Sequence, residues 1–390
     1  MKEALKYFKG DRAIWLIALI LAVFSLLLVY SSIVTLAYKH HGGNTFYYLF
    51  RHGLFLGLGF VLMYVTHKMK YSYFSRIAQL LLYLSIPLLL LTLMIGTNLN
   101  NASRWLTIPI INQSFQTSDL AKLALIMYVA RMIWIKKEVL NKFKEGFLPI
   151  IIPVGIVCAL ILPANFSTAA VLFTCCLVLM FMGGVPFKHF LSLIPAGIVV
   201  IAFAFLLAKS FPEVFPRLET WISRIENFSD GENDPNADYQ SNQAKVAVAL
   251  GGPIGVGPGN SSQRNFLPHP YSDFIYAIVL EEYGLIGGVF ILALYLILFF
   301  RTLRMAGRTD KPFPQLLALG LSFLLVFQAM INMAVAVNLL PVTGQPLPLV
   351  SMGGTSTWFT CISIGVILSV SRGIELESKK KIEIDDYAIA

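Results

Sequence analysis

Charged residues are scarce in this chain. They make up 13% of its 390 residues, whereas an ordinary soluble domain has about 25%. Hydrophobic residues reach 57%. So little charge excludes a water-soluble globular domain and predicts a protein whose main solvent is the lipid bilayer.

Apolar runs long enough to cross a hydrocarbon core of roughly 30 Å recur about ten times along the chain. We therefore predict an all-α integral membrane protein with about ten transmembrane helices, in which residues 1–390 form a single polytopic domain. The predicted spans are 13–32, 47–66, 74–95, 116–135, 148–163, 166–185, 188–209, 271–300, 315–339 and 350–371. No internal repeat is apparent, so any chemistry has to lie in the loops or inside the helix bundle.

Acidic residues are fewer than basic ones, 21 against 30, which gives a net charge of +9. If the N-terminus is cytoplasmic, 21 of the 30 basic residues fall in cytoplasmic segments, as the positive-inside rule requires. This predicts that both termini are cytoplasmic, with a cytoplasmic tail at 372–390 and a large extracytoplasmic loop at 211–270 between spans seven and eight. Topology and membrane lipid then explain the charge, so a nucleic-acid partner is not implied.

Cysteine is rare as well: there are four residues, and all of them fall inside predicted spans. Their placement excludes a disulfide framework in an outer loop, and their spacing fits no metal-ligand pattern. We interpret Cys158, Cys175, Cys176 and Cys361 as small apolar packing residues.

A glycine-rich run occupies residues 251–261. It lacks the lysine and hydroxyl residue that end a Walker loop, and it lacks the spacing and βαβ context of a dinucleotide-binding motif, so we do not predict nucleotide binding. Two interpretations stay open. The run is either a flexible or re-entrant loop, or a backbone cradle close to a phosphate-bearing lipid.

Polar side chains stand out where a membrane protein should have few. Asp119 and Lys122 lie three residues apart on one face of predicted span four, within pairing reach of each other and close to Gln116. They are either a buried ion pair that orients the helix, or the means of holding a cation beside a lipid-linked diphosphate. Arg104 and Trp105, in an outer loop, are either an interface anchor or a phosphate-binding pair.

Asp273 follows two prolines, and we expect it in the first turn of span eight, facing the outer leaflet. A carboxylate there is favoured by the helix dipole, or it serves chemistry. Glu281 lies deeper on the same span and is the acid expected to share a cavity with Asp273. Gly284 and Gly288 have the spacing of a close helix-packing pair.

The segment 338–356 is dense in proline, glycine and hydroxyl residues. At membrane depth, such a segment is tolerated only as a broken helix that lines a cavity or is covered by protein. We expect Thr343, Ser351, Gly353 and Gly354 to belong to a cavity at the outer leaflet.

These places, in this order, resemble the signature segments of the SEDS (shape, elongation, division and sporulation) family, and the resemblance runs from span three to span ten. The most specific block comprises Gly257, Gly259, Asn260, Ser261, Leu267, Pro268, Ser272, Asp273, Phe274, Glu281, Glu282 and Gly284. Its glycine-rich part looks more like the division branch than the elongation branch. Departures are Asn101, Asp119, Asn165 and Met352, where the family usually has Gly, Glu, Asp and Tyr.

The resemblance implies a peptidoglycan glycosyltransferase that polymerises lipid II at the outer face of the bacterial cytoplasmic membrane, at the division septum, and releases undecaprenyl diphosphate. It implies that Asp273 is the catalytic base and a possible metal ligand, that a divalent cation (Mg²⁺ or Mn²⁺) takes part, and that no organic cofactor is used. The expected substrate-binding residues are Arg104, Trp105, Gln116, Asp119, Lys122, Glu281, Thr343, Ser351, Gly353 and Gly354. Expected partners are a class B penicillin-binding protein and other division proteins.

Three alternative functions fit the same features: a lipid II flippase, a non-catalytic division scaffold and an elongation-type polymerase. A flippase usually has internal repeats or helices broken near the midplane of the membrane. The broken-helix signals here lie mainly on the outer side and no repeat is found, which favours the enzyme.

Overall fold

The computed structural model describes residues 9–99, 102–108, 113–195, 197 and 235–389, which form a mostly helical bundle. Its helices are α1 (Arg12–Ser32), α2 (Val34–His41), α3 (Thr45–Lys68), α4 (Tyr71–Ile95), α5 (Thr117–Ile135), α6 (Leu148–Ile161), α7 (Phe166–Met182), α8 (Phe187–Leu191), α9 (Pro235–Gly251), α10 (Ile275–Ala306), α11 (Pro312–Ala336) and α12 (Gly354–Ile389). Short 3₁₀ turns lie at Lys137–Val139 and Gln263–Asn265, and a π turn at Phe143–Phe147 leads into α6.

Seven helical stretches among the described residues are long and apolar enough to cross a membrane. They are Arg12–Ser32, Thr45–Lys68, Tyr71–Ile95, Phe143–Ile161, Ile275–Ala306, Pro312–Ala336 and Gly354–Lys380. Helix α7 is apolar but shorter, at 17 residues, and α5 carries three charged residues. The predicted span 188–209 and the segment up to residue 234 fall largely outside the described residues.

Three short strands interrupt the helices, so the all-α prediction was wrong for the segment between α4 and α5. The strands β1 (Thr97–Leu99), β2 (Ala102–Ile108) and β3 (Gln113–Gln116) form an antiparallel sheet in the order β1-β2-β3. Aromatic and β-branched residues at the end of β2 favour extended structure, and pairing satisfies the backbone groups of a segment that leaves the helices.

Side-chain caps fix where several helices begin. Asp11 accepts a hydrogen bond from the backbone N–H of Ala13, Asn44 from that of Tyr47, and Asn165 from that of Thr168. These bonds satisfy N–H groups that have no partner within the helix. The Asn165 cap accounts for the sharp turn between α6 and α7, so asparagine has a structural task where the family usually has aspartate.

Helix α11 is the centre of the bundle. It packs against α10, α5, α12 and α7. Of the residues in its most apolar stretch, 78% are buried by protein, against 22% for α3 at the rim. A polar residue on α11 therefore faces other helices and not lipid.

Helix α10 is broken at Gly284, which has φ 65° and ψ −167°. The backbone groups around the break bond to the glycine-rich run: Leu285 N–H donates to the Gly252 carbonyl, and Val256 N–H donates to the Glu281 carbonyl. A Cβ added to Gly284 would lie 2.5 Å from backbone atoms of residues 253–255. The expected helix-packing role of Gly284 and Gly288 was thus wrong, because Gly284 receives a loop backbone and not another helix.

Exposure along α10 changes at the same glycine. None of residues 275–284 is exposed, whereas a row of exposed apolar side chains begins immediately after the break. The row consists of Leu285, Ile286, Val289, Phe290, Ile297, Phe300 and Leu303. Residues 285–303 span roughly 28 Å, about the thickness of a hydrocarbon core, so we assign this row to lipid and the first ten residues of α10 to contact with protein.

We expect Gly284→Ala to lower the free energy of unfolding by roughly 2 to 5 kcal/mol, because alanine disfavours this backbone conformation and its Cβ would meet immovable backbone. The control is Gly155→Ala in α6, where nothing lies within 4 Å of an added Cβ. That variant should be neutral or stabilised by about 0.5 to 1 kcal/mol. Equal unfolding midpoints for the two variants in detergent would contradict the assignment.

Candidate functional site

A polar cavity lies between α5, α11, α12 and the segment that joins the last two helices. Its empty volume is about 480 Å³ including its open mouth. The polar side chains lining it are Asp119, Lys122, Gln328, Ser351, Ser356, Thr357, Thr360 and Ser363. Of the four residues 343, 351, 353 and 354 that were expected to belong to a cavity, Ser351 lines this one, and the other three are not among its lining residues.

Asp119 and Lys122 form a buried ion pair on α5. The Lys122 Nζ lies 2.8 Å from Asp119 Oδ1, and their side chains are 9% and 5% exposed respectively. Lys122 also donates to Gln328 Oε1 at 3.3 Å, and Gln328 in turn donates to the Pro346 carbonyl at 3.0 Å. The second carboxylate oxygen of Asp119 is buried and has no hydrogen-bond partner among the described residues. The pair therefore holds a cation at the cavity and leaves one strong acceptor unused.

The α12 wall of the cavity presents acceptors. Ser356 and Thr357 donate their hydroxyl protons to the Gly353 carbonyl, and Thr360 and Ser363 donate theirs to carbonyls within the helix. Their remaining oxygen lone pairs are left for a ligand. Among the described residues that line the cavity, Lys122 supplies the positive charge, so the lining suits a ligand rich in hydroxyl groups that carries negative charge near Lys122.

Asp273 lies in a turn before α10, which begins at Ile275 with Phe274 as its N-cap. The expectation that Asp273 lies in the first helical turn was wrong, because the helix starts two residues later. Its Oδ1 accepts from the Ser272 hydroxyl at 2.8 Å, and a Cβ added to Gly344 would lie 3.5 Å from its Oδ2. The half-buried carboxylate thus faces the segment between α11 and α12 and is not used to cap a helix.

The residues 337–353 between α11 and α12 are non-helical, which confirms the predicted broken helix. The hydroxyl of Thr343, next to Gly344, is buried and has no partner in the part of the chain that the structure describes. Ser351 is 3% exposed, and its Oγ both accepts from Leu347 N–H at 2.8 Å and donates to the Ser272 carbonyl at 2.6 Å. Ser351 therefore joins the Asp273 turn to the cavity wall, and its hydroxyl is engaged within the protein.

The two glycines that follow, Gly353 and Gly354, lie at the start of α12. Gly353 offers its carbonyl to the α12 hydroxyls, and Gly354 has open space where a Cβ would be. A role in substrate binding stays a prediction for both glycines.

Burial raises the pKa of the Tyr271 phenol, and the Asp273 carboxylate raises it further. The phenol therefore stays protonated across the physiological range and can donate a hydrogen bond beside Asp273. Its oxygen lies 3.2 Å from His269 Nδ1.

Arg104, Trp105 and Gln116 come together at the sheet. Trp105 on β2 pairs with Gln116 on β3, and Arg104 is the preceding residue of β2, with a side chain outside the described part of the structure. The Gln116 N–H donates to Thr355 Oγ1 at 3.3 Å. The sheet therefore lies against the start of α12, at the same end of the bundle as the cavity.

Glu281 does not share a cavity with Asp273, so that expectation was wrong. It is 0% exposed and accepts hydrogen bonds from the Ser261 hydroxyl, from the N–H and hydroxyl of Ser262 at 2.8 and 2.9 Å, and from the Gln263 N–H at 3.2 Å. A carboxylate bonded this completely holds a loop in place and has little capacity left for substrate. The prediction from angles around the helix was wrong because the hydrogen-bond partners of Glu281 come from a segment outside α10.

The same arrangement decides between the two interpretations of the glycine-rich run. The N–H groups of Val256 and Gly257 donate to carbonyls of α10, and that of Gly255 donates to Gly251. A Cβ at Gly251 or Gly255 would lie about 2 Å from α10 backbone. The glycines permit backbone to pack on backbone, so these N–H groups are not available to cradle a phosphate.

A divalent cation can be accommodated only in part by the protein. Among the described residues, no group of three His, Cys, Asp or Glu side chains is placed to hold a metal ion. Asp273, with the nearby Thr343 and Ser272 hydroxyls, provides hard oxygen donors. Mg²⁺ is commonly held by one or two carboxylates together with substrate phosphates, so the donor set fits a cation that arrives with a diphosphate.

Comparison with known proteins gives a consistent answer. The family model for FtsW, RodA and SpoVE, described as "Cell cycle protein", matches residues 11–375. The chain belongs to the FtsW/RodA/SpoVE family. It is 36% identical over 354 residues to the "Probable peptidoglycan glycosyltransferase FtsW" of Nitrosococcus halophilus, covering 88% of this chain and 87% of the relative. It is also 32% identical over 371 residues to the "Stage V sporulation protein E" of Bacillus subtilis, covering 93% and 97%.

Solved structures of the FtsW/RodA/SpoVE family share this fold. One, described as "Structural coordination of polymerization and crosslinking by a peptidoglycan synthase complex", matches with a TM-score of 0.72 and 25% identity over 94% of this chain and 98% of that chain. The rod shape-determining protein RodA of Thermus thermophilus matches with a TM-score of 0.66 and 22% identity over 94% and 98%. Family membership and the seven candidate spans make the chain a multi-pass membrane protein.

The sequence analysis missed two residues of this site. Gln328 and Asn332 are four positions apart on α11, are 7% and 1% exposed, and both bond to the 337–353 segment. The signal was present, since two amides on one face of an apolar helix need internal partners, but only ionisable groups were treated as outliers.

We expect Lys122→Met to lower the free energy of unfolding by roughly 3 to 5 kcal/mol, because it leaves the Asp119 carboxylate buried and unpaired. The double variant Asp119→Asn with Lys122→Met should recover part of that loss. The control is Lys142→Met, because Lys142 and Glu145 are also three apart and 3.0 Å from each other, but 58% and 59% exposed. It should change stability by less than about 1 kcal/mol. Additive losses in a denaturation cycle in detergent would contradict a coupled buried pair.

Proposed function

We propose that this chain is a peptidoglycan glycosyltransferase that polymerises lipid II into glycan strands at the outer face of the cytoplasmic membrane during cell division. The observation that carries the proposal is the half-buried Asp273 carboxylate, which lies outside the helix and faces the 337–353 segment. This segment also borders the cavity that the buried Lys122 side chain lines. The names of the FtsW relatives at 32–36% identity support the activity and the division role.

In the proposed reaction, Asp273 accepts the proton of the acceptor sugar 4-hydroxyl as general base. The 4-oxygen attacks the anomeric carbon of the donor, a new carbon–oxygen bond forms, and the bond from that carbon to the diphosphate breaks. Undecaprenyl diphosphate leaves with the bonding electrons, and in-line attack converts an α-linked donor into a β-linkage. Among the described residues, Ser272 donates to Oδ1 of the carboxylate, and Oδ2 is the oxygen proposed to take the proton.

The negative charge of the leaving diphosphate needs a positive partner. Lys122 has a fixed position at the cavity, and Ser351 connects the cavity wall to the turn that carries Asp273. Arg104 lies on the sheet at the same end of the bundle and is the second candidate. A bound Mg²⁺ or Mn²⁺ would supply further charge neutralisation when it arrives with the diphosphate.

The finer topology is part of the same proposal. Ten spans with both termini cytoplasmic place the basic segments inside and put the loop 211–270, which contains α9, on the outer side. Asp273 then faces the outer leaflet, where the lipid-linked substrate is available. A class B penicillin-binding protein is the proposed partner, with the septum as the site of action, and a structural relative described as part of a peptidoglycan synthase complex supports the partnership.

We expect Asp273→Asn to lower polymerisation about 10²- to 10⁴-fold, the range that a general base contributes. The measurement is glycan-ladder formation from lipid II by the purified chain, with and without a penicillin-binding partner whose transpeptidase is inactivated, in Mg²⁺, Mn²⁺ or chelator. Because an asparagine oxygen can still accept the hydrogen bond from the Ser272 hydroxyl, the variant should unfold at the parental midpoint and still bind the partner.

The matched control is Asp310→Asn, which changes an exposed acid between α10 and α11 and should leave ladders unchanged. Parental ladders from Asp273→Asn would refute the assignment of the base. A folded parental complex that makes no ladders, but moves lipid II across vesicle membranes, would support the flippase.

A further inference from the structure

Three successive backbone carbonyls of the turn that carries Asp273 are each held by a hydrogen bond. The Tyr271 carbonyl accepts from Met352 N–H at 2.8 Å, the Ser272 carbonyl from Ser351 Oγ at 2.6 Å, and the Asp273 carbonyl from Asn332 Nδ2 at 2.8 Å. The donors all come from α11 or from the segment that follows it. The turn is therefore fixed by a different part of the chain, about 60 to 80 residues away in sequence.

Asn332 makes the contact nearest to the carboxylate. It lies on α11, one turn before the helix ends, and is 1% exposed. Its amide nitrogen donates twice, to the Asp273 carbonyl at 2.8 Å and to the Gln345 carbonyl at 2.7 Å. Because both neighbours are carbonyls that can only accept, the amide orientation is fixed by chemistry.

The second contact matters because of where Gln345 leads. Gln345 follows Gly344, the residue that faces Asp273 Oδ2, and its own side chain donates to the Thr168 hydroxyl on α7 at 2.7 Å. One asparagine side chain thus sets both the backbone of Asp273 and the strip of chain that its carboxylate faces. The separation between the carboxylate and Gly344 depends on this bridge.

The side-chain oxygen of Asn332 indicates that this position requires the hydrogen bonds that the amide nitrogen donates. This oxygen is buried and has no partner in the described protein. A leucine of similar shape would avoid that unpaired acceptor and would pack well in the apolar centre of the bundle. An asparagine at this position is accounted for by the two hydrogen bonds that its nitrogen donates.

We propose that Asn332 is a positioning residue, which holds the Asp273 turn and the Gly344 strip in the relative arrangement that proton transfer requires. This inference rests on the proposed function, since it concerns the placement of the proposed base. It makes Asn332 essential for turnover without contact to the substrate.

The first test measures the turn directly and needs no activity. In hydrogen-exchange mass spectrometry of the full chain in detergent, Asn332→Ala and the isosteric Asn332→Asp should speed exchange in the peptide covering residues 268–278 by about tenfold, the effect of losing one buried hydrogen bond. The control is Ser322→Ala, which removes a buried hydroxyl on α11 that donates to the Leu319 carbonyl of its own helix. In this control variant, the 268–278 peptide should exchange at the parental rate.

The second test measures turnover with lipid II. Asn332→Asp should lower kcat about 10- to 100-fold with little change in KM, because a base that is displaced by a fraction of an ångström is poorly aligned. An aspartate can donate one hydrogen bond when it is protonated and none when it is ionised. The ratio of variant to parental kcat should therefore fall as pH rises, because the introduced carboxylate loses its proton and with it its one hydrogen bond.

The outcomes separate the two proposals. If the folded parental complex makes no glycan, the proposed function fails, while faster exchange in both Asn332 variants still shows that the residue holds the turn. If the parent polymerises and Asn332→Asp keeps the parental kcat, the positioning role is refuted. A parental exchange rate in the 268–278 peptide of Asn332→Asp refutes it as well, and a pH-independent ratio would show a general loss of structure.

Discussion

The pairing of backbone groups that leave a helix is the constraint on which this architecture depends. An unpaired N–H or C=O within a bilayer is too costly to persist, so each interrupted helix must find partners inside the protein. The chain meets this requirement at Gly284, where the glycine-rich run covers α10, and after Ala336, where Met352 N–H donates to the Tyr271 carbonyl. Asp273 precedes both interruptions in the sequence, and its turn packs against the second one. Its position follows from how released backbone is satisfied.

The second constraint is the burial of charge. Lys122 can remain charged within the bundle because Asp119 lies 2.8 Å away and Gln328 accepts a further hydrogen bond. This arrangement places a cation where the dielectric constant is low and where an anionic group would gain most from it. The α12 hydroxyls donate their protons to backbone carbonyls of the same helix or its start, so the pocket is prepared for a ligand that brings its own donors.

Much of the helical framework could be predicted from sequence, because long apolar runs have few alternatives to a helix in lipid. The broken segment was also predictable, since its prolines and glycines cannot continue α11. The sheet between α4 and α5 was missed, because three to seven residues of mixed polarity carry little periodic signal. Strand pairing there depends on neighbours that a single sequence does not show.

The errors at the site have a different physical origin. The spacing of Gly284 and Gly288 is the same whether a glycine receives a helix or a loop, and only the fold distinguishes the two. Glu281 was placed by the angles of an unbroken helix that starts near Asp273, whereas its partners come from residues 261–263. Asn332 was overlooked because its importance lies in which carbonyls it reaches, and that is a long-range property.

The change in exposure at Gly284 has a mechanical consequence. Bilayers differ in thickness by several ångströms between membranes and growth states, and a helix gripped by lipid along its whole length would tilt or shift to match. Here the exposed apolar row of α10 begins after residue 284, while none of the ten residues up to Gly284 is exposed and this non-helical glycine joins the two parts. The joint separates the exposed apolar part of α10 from the turn that carries Asp273, so a change in membrane thickness acts first on the helix beyond the joint.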